Sequence, residues 1–229
     1  MASIAVKLQQ VRQRIAAACA AAQRPVQSVT LLAVSKTFGV DAVREAHAAG
    51  QRAFGENQVQ EALAKNDALR DLRASIEWHL IGPLQSNKTR EAATVFDWVH
   101  SVDRIKLAER LSAQRPAGLL PLQVCLQVNT SGEASKSGVA PAATAALAHA
   151  VAALPRLRLR GLMAIPAPVA DFDTQHAAHR VLRELFDTLR AQGLDLDTLS
   201  MGMSGDLEAA VAAGATIVRV GTAVFGSRA

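Results

Sequence analysis

Apolar residues recur along the chain in two alternating rhythms, a stripe every three to four positions and a short unbroken run. The first stripe covers about Ser3 to Ala22, with Ile4, Leu8, Val11, Ile15 and Ala18 on one side and Lys7, Gln10 and Arg14 off it. That spacing predicts a helix. The first run, Val29 to Thr37, is β-branched and aliphatic, lies between Pro25 and Gly39, and reads as a strand buried on both faces. The pattern then repeats. Strands are predicted at 52–57, 76–82, 97–102, 122–128, 157–162, 198–201 and 216–220. Helices are predicted at 41–50, 59–73, 104–113, 141–153, 174–191 and 206–213, the last closed by Gly214. Loops fall at 83–88 and 129–138.

Strands alternating with helices imply a parallel sheet. Eight such strands after one lead-in helix favour an α/β fold of the closed TIM-type (β/α)8 barrel kind over an open doubly wound sheet. No G-x-G-x-x-G follows the first strand, which weakens a dinucleotide-binding reading. The absence of a Pro/Gly/Ser-rich linker or a break in composition across the 229 residues predicts a single domain, 1–229.

Composition narrows the function. No apolar run is long enough to span a bilayer, and the N-terminus lacks a signal-peptide layout, so a cytoplasmic protein with no membrane partner is expected. The formal charge is +5 and the pI about 9.8, yet Lys and Arg are interspersed with acids. Aromatic residues are 3% and Tyr is absent, so stacking surfaces for nucleic acid are scarce and no nucleic-acid partner is expected. An anionic small ligand accounts for the charge equally well. Cys19 and Cys125 have neither metal nor disulfide spacing and read as core residues. No helix shows an obvious dimer stripe, so a monomer is the default.

The candidate chemistry begins at Lys36, at the end of the first strand. An amine at the rim of an apolar wall loses hydration, which disfavours its ammonium form and prepares it to attack a carbonyl. The plainer alternative is a lysine that snorkels into solvent. In a barrel of this kind the site is built from the loops after the strands, often with a phosphate site after strands seven and eight. Those loops hold Ser204 and Gly205, then Gly221 and Thr222. Ser204 is expected to cap the helix that follows and to present its hydroxyl and the first N–H groups to an anion. An ordinary cap and a plain turn are the alternatives. Closure of the barrel would set the last strand beside the first and bring Lys36 to this cradle. Arg219 interrupts the apolar run Ile217-Val218-Val220. It is either a salt-bridged barrel arginine or the partner of a ring nitrogen, which it would leave unprotonated, because a guanidinium does not release its proton. A reactive lysine beside a phosphate cradle suits a phosphorylated aldehyde, and pyridoxal 5'-phosphate (PLP) is the obvious one.

Leu32-Ala33-Val34-Ser35-Lys36-Thr37, Phe54-Gly55-Glu56-Asn57, Trp78 to Lys88, Gly161 to Ile165, Leu199 to Ser204 and Arg219 to Gly226 resemble the pyridoxal phosphate homeostasis proteins, the YggS/PROSC family. These are similar to the barrel domain of alanine racemase, PLP fold type III. The resemblance implies that Lys36 holds PLP as a Schiff base. It implies that Ser204, Gly205, Gly221 and Thr222 hold the phosphate, that Arg219 faces the ring nitrogen and that Asn57 lies near the ring's polar edge. His79 and Met163 are expected to line the pocket, against core packing as the alternative. Lys136 is read as a surface lysine, with a second PLP position as the alternative.

The expected function is a non-catalytic PLP carrier in vitamin B6 homeostasis, with PLP-dependent apo-enzymes as candidate recipients. An amino-acid racemase is the alternative. It needs two positioned proton-transfer groups, and the chain has no tyrosine for the second and ends before a second domain. A Schiff-base aldolase and a nucleic-acid-binding barrel are weaker alternatives.

Overall fold

Eight short strands close on themselves in the order in which the chain makes them. The computed structural model describes residues 2–133 and 137–226, so Lys136 lies outside the described residues. The strands are β1 (Thr30–Val34), β2 (Ala53–Glu56), β3 (Glu77–Leu80), β4 (Trp98–Val102), β5 (Leu122–Gln127), β6 (Leu157–Met163), β7 (Thr198–Ser200) and β8 (Ile217–Val220). Neighbours are parallel throughout, and β8 returns to β1 with Arg219 opposite Leu32 and Val220 opposite Ala33. The helices are α1 (Ile4–Ala21), α2 (Val40–Ala48), α3 (Val59–Ala68), α4 (Thr89–Val95), α5 (Ile105–Gln114), α6 (Pro141–Ala152), α7 (Phe172–Ala191), α8 (Leu207–Ala212) and α9 (Thr222–Phe225). The barrel read from the alternating rhythm is the fold.

Side chains alternate along each strand, and this sorts the core into two layers. Leu31 and Ala33 face outward into the main core between sheet and helices. Leu32 faces inward with Ala53 and Ile217. α1 buries Leu8, Val11, Ile15 and Ala18 of the stripe read from the sequence, together with Cys19, against α2, α8 and α9, while Ile4 at the start of the stripe is half-buried. It therefore covers the seam where the barrel closes. Its first turn is capped by the Ser3 hydroxyl, which accepts from the Val6 N–H at 3.3 Å, a contact typically worth ~1 kcal/mol. Cys125 is also buried, and burial pushes its thiol up to about 12.

Some boundaries differ from expectation. The helix expected at 59–73 stops at Ala68, and a 3-10 turn, Arg70–Ser75, carries the chain to β3. Helix α4 was not expected at all. Its buried face is Thr89, Ala92, Ala93 and Val95, too small and too polar to register as an apolar stripe. Ser204 does not cap α8. The helix starts at Leu207 behind Asp206, with no side-chain cap bond, and Ser204 belongs to the preceding turn.

Candidate active site

Lys36 stands one residue past the point where β1 stops pairing. Ser35 still donates its N–H to the Gly55 carbonyl at 3.0 Å, and Thr37 then turns sharply with φ +69°. A non-glycine residue adopts that backbone only when its surroundings hold it there. The hold comes from α3. Lys65, 4% exposed, donates to the Ser35 carbonyl (2.8 Å), to Glu56 Oε1 (2.7 Å) and to Glu61 Oε1 (2.8 Å). Glu61 Oε1 accepts the Thr37 N–H at 2.5 Å, and the Ser35 hydroxyl donates to Glu56 Oε1 at 2.5 Å. Both neighbours of Lys36 are thus fastened to one buried ion cluster. Lys36 itself is half-buried, and no ion pair ties its ammonium among the described residues.

Arg219 is 4% exposed and is held by neutral oxygens. Nη1 donates to the Ser200 carbonyl at 2.6 Å and to Ser200 Oγ at 2.9 Å, and Nη2 donates to the Ala164 carbonyl at 2.9 Å. No carboxylate pairs with it among the described residues, so the salt-bridged alternative falls. Burial lowers its guanidinium to about 10, which leaves it charged at neutral pH. Three of its five donors are spent on these oxygens.

The cradle is formed by two turns. Gly202 opens the first at φ +92°, where a Cβ would also meet the Ala210 side chain at 2.5 Å. Asp206 Oδ1 then accepts the Met203 N–H at 2.6 Å, and Oδ2 lies 2.9 Å from His179 Nε2. From outside, Arg14 donates to the Ser204 carbonyl at 3.1 Å. A trans peptide directs its C=O and N–H oppositely, so this pull turns the Gly205 N–H the other way. Gly221 and Thr222, at the start of α9, form the second turn.

Lys36, Asn57, Ser204, Gly205, Arg219, Gly221 and Thr222 all line one cavity of about 620 Å³ at the C-terminal ends of the strands. Its apolar walls include Val34, Ile81, Ile165 and Met203, and Gln127 and Asn129 add polar groups. Gly82 is needed beside Asn57, because a Cβ there would sit 2.2 Å from the Asn57 carbonyl oxygen. The expectation for His79 and Met163 needs correction. His79 is 1% exposed inside the barrel, stacked on Trp98, and Met163 packs with Trp98 and Cys125. Neither lines the cavity: both side chains point into the barrel, as those of Ile81 and Arg219 do, but they lie deeper, buried against Trp98. Sequence reasoning also passed over His100 and Ser200, which stand behind Arg219. Their signal was open to view: each is a polar residue inside a strand run.

Residues 6–229 match the family model for the alanine racemase N-terminal domain, so fold and sequence together define a barrel of that class. The alanine racemase of Clostridium difficile superposes with a TM-score of 0.74 at 10% identity, over 88% of this chain and 53% of that one, a likeness of fold alone. The chain is 63% identical to the pyridoxal phosphate homeostasis protein of Pseudomonas aeruginosa over 228 residues, 100% of this chain and 97% of the relative. Against that of Escherichia coli the identity is 53% over 229 residues, 100% of this chain and 98% of the relative. PipY of Synechococcus elongatus, solved with PLP bound, superposes with a TM-score of 0.85 at 43% identity, over 98% of this chain and all of that one. The chain belongs to the family of pyridoxal phosphate homeostasis proteins. Among the described residues no helix is long and apolar enough to cross a membrane.

Proposed function

We propose that this chain binds PLP through Lys36 and acts in PLP homeostasis as a carrier, without strong catalytic activity of its own. The observation that carries this is one cavity holding an amine with no ion-pair partner and a guanidinium bonded only to neutral oxygens among the described residues, beside two turns with hydroxyls. That donor set fits the group: an amine for an aldehyde, N–H and O–H donors for a phosphate, and a fixed donor for an aromatic nitrogen. When bound, PLP supplies a reactive aldehyde conjugated to a ring that absorbs visible light.

Lys36 contributes the attacking nitrogen. Ser204 and Thr222 with the N–H groups of Gly205 and Gly221 hold the phosphate, and Asn57 borders the ring's polar edge. Arg219 donates to the ring nitrogen and keeps its proton there, which disfavours the electron-withdrawing form of the ring on which amino-acid chemistry depends. The absence of tyrosine leaves a racemase-type second base without its usual residue and supports the carrier reading, as do the names of the relatives. In this proposal the chain, 1–229, works as one cytoplasmic barrel unit and a monomer, and apo-enzymes that need PLP receive it.

Borohydride reduction of the purified protein followed by peptide mapping tests the reading. A pyridoxyl group on Lys36 is expected, and Lys36→Ala is expected to lose the visible band while remaining folded. Label spread over surface lysines, or retained colour in Lys36→Ala at equal occupancy, would defeat it. Solvent exchange of an amino acid's Cα proton at turnover rates would favour the racemase instead.

A further inference from the structure

The barrel interior is apolar on two sides, with Leu32, Ala53 and Ile217 on one and Trp98, Cys125 and Met163 on the other. Between them runs a file of buried polar side chains leading away from the cavity. Arg219 Nη1 lies 2.9 Å from Ser200 Oγ, which lies 2.7 Å from His100 Nδ1. His100 Nε2 lies 2.9 Å from His79 Nδ1, and His79 Nε2 lies 3.3 Å from Glu77 Oε2. Glu77 opens β3, so its half-exposed carboxylate sits at the end of the barrel opposite the cavity.

The carboxylate end of this file sets the sense in which its protons run. A guanidinium only donates and a carboxylate only accepts. Arg219 takes one of the two Ser200 lone pairs, and in the arrangement proposed here the hydroxyl proton goes to His100 Nδ1. Burial, with the charge of Arg219 adding to it, pushes the His100 imidazole well below its ordinary range, so that ring is neutral. With Nδ1 accepting, Nε2 carries the proton and gives it to His79 Nδ1. His79 Nε2–H is then left facing Glu77. Starting from Glu77 yields the same assignment. The last link is not aligned as a hydrogen bond and acts by attraction of the Nε2–H dipole to the carboxylate, while Trp98 Nε1 holds the same carboxylate group through Oε1 at 2.7 Å.

We propose that Ser200, His100 and His79 form a one-way hydrogen-bond column, anchored at Glu77, that fixes Arg219 with its unspent donors toward the ring nitrogen. They are positioning residues, and the inference rests on the reading of the cavity as a PLP site. Each donor points away from the cavity, so each link polarises the next in the same sense. The column has no proton to deliver upward, because the Ser200 proton is already committed. It thereby keeps the cavity floor a fixed donor surface rather than an acid.

Nitrogen-15 NMR of histidine-labelled, cofactor-free protein reads the column directly. Both His79 and His100 are expected to carry a proton at Nε2 and none at Nδ1. A proton on Nδ1 of either ring would overturn the proposal. The second measurement compares PLP with an analogue whose ring nitrogen is replaced by C–H. Ser200→Ala and His100→Leu are each expected to weaken PLP binding roughly tenfold, the size of one lost hydrogen bond to a charged group, and to move the visible band. Binding of the analogue should be unchanged. Equal losses for both ligands would mean that the column only supports packing, and would overturn the proposal. Absence of a Lys36 label in the unsubstituted protein would instead defeat the PLP reading, and the NMR result stands apart from it.

Discussion

Lys36 and Arg219 face the same cavity from walls that are built in opposite ways. Behind Lys36 lie charges: one buried ammonium, Lys65, shared between Glu56 and Glu61. Behind Arg219 lie carbonyls, a hydroxyl and imidazoles, with the nearest carboxylate of the column at its far end. Ionic anchors are strong but depend on each partner and on pH, because losing one partner strands a buried charge. Neutral anchors are individually weaker and indifferent to pH over the range in which their members do not titrate. In the proposed function, the wall carrying the amine that would bond and unbond is the titratable one. The wall that would face the ring is fixed.

The largest effect should follow from removing the shared cation. Lys65→Met leaves two carboxylates facing each other in a buried site and frees the Ser35 carbonyl. A loss of ~3–5 kcal/mol is expected, the usual consequence of breaking a buried ion pair from one side. Urea denaturation measures it, and borohydride labelling should show slower capture of PLP at Lys36. A midpoint matching the unsubstituted protein would mean that the cluster carries no stability, and the contrast between the walls would collapse.

Next comes the pH response of Glu56. Burial pushes this carboxyl up to about 7 from the ordinary 4.5, and repulsion from Glu61 adds to the rise; Lys65 and the Ser35 hydroxyl offset part of it. Its Oε2 has no hydrogen-bond partner among the described residues. The folded chain therefore keeps a proton through a window in which the unfolded chain has lost it. Stability should fall as pH rises from about 4.5 to about 7, by ~3 kcal/mol from this group. Glu56→Gln, which resembles the protonated carboxyl, should flatten that limb of the stability curve. An identical slope in the variant would rule Glu56 out as its source.

The sequence made the two walls unequally legible. Lys36 and Arg219 stand out because each is a charge in an apolar strand run, and burying a charge has a cost that needs a reason. His100 and Ser200 break their runs in the same way, but their meeting with Arg219 depends on the register of a closed barrel. Lys65 gives no such sign. A lysine flanked by Ala64 and Asn66 on a helix reads as solvated surface, and only the packing of α3 over β1 and β2 buries it. His79 misled in the opposite direction, standing two positions before Ile81 of the cavity wall and on the same face, but deeper in the barrel. The barrel itself was legible because strand runs and helical stripes alternate without interruption, α4 excepted, where Thr and Ala replaced the large residues that make a stripe visible.

The smallest expected effect also separates stability from binding most cleanly. Arg14 on α1 pairs with Glu208 in an exposed bridge at 2.9 Å, and such pairs contribute ~0–1 kcal/mol. Arg14→Ala should therefore barely move the urea midpoint. Yet the same guanidinium holds the Ser204 carbonyl outward, and with it the orientation of the Gly205 N–H. PLP affinity should fall a few-fold, roughly the effect of weakening one hydrogen bond, while affinity for pyridoxal, which has no phosphate, stays the same. Glu208→Gln removes the charge pair but leaves the bond to Ser204, so it should change neither affinity. If Glu208→Gln weakened PLP binding as much as Arg14→Ala did, the exposed charge pair rather than the carbonyl contact would be shaping the turn. The phosphate cradle would then belong with the ionic wall.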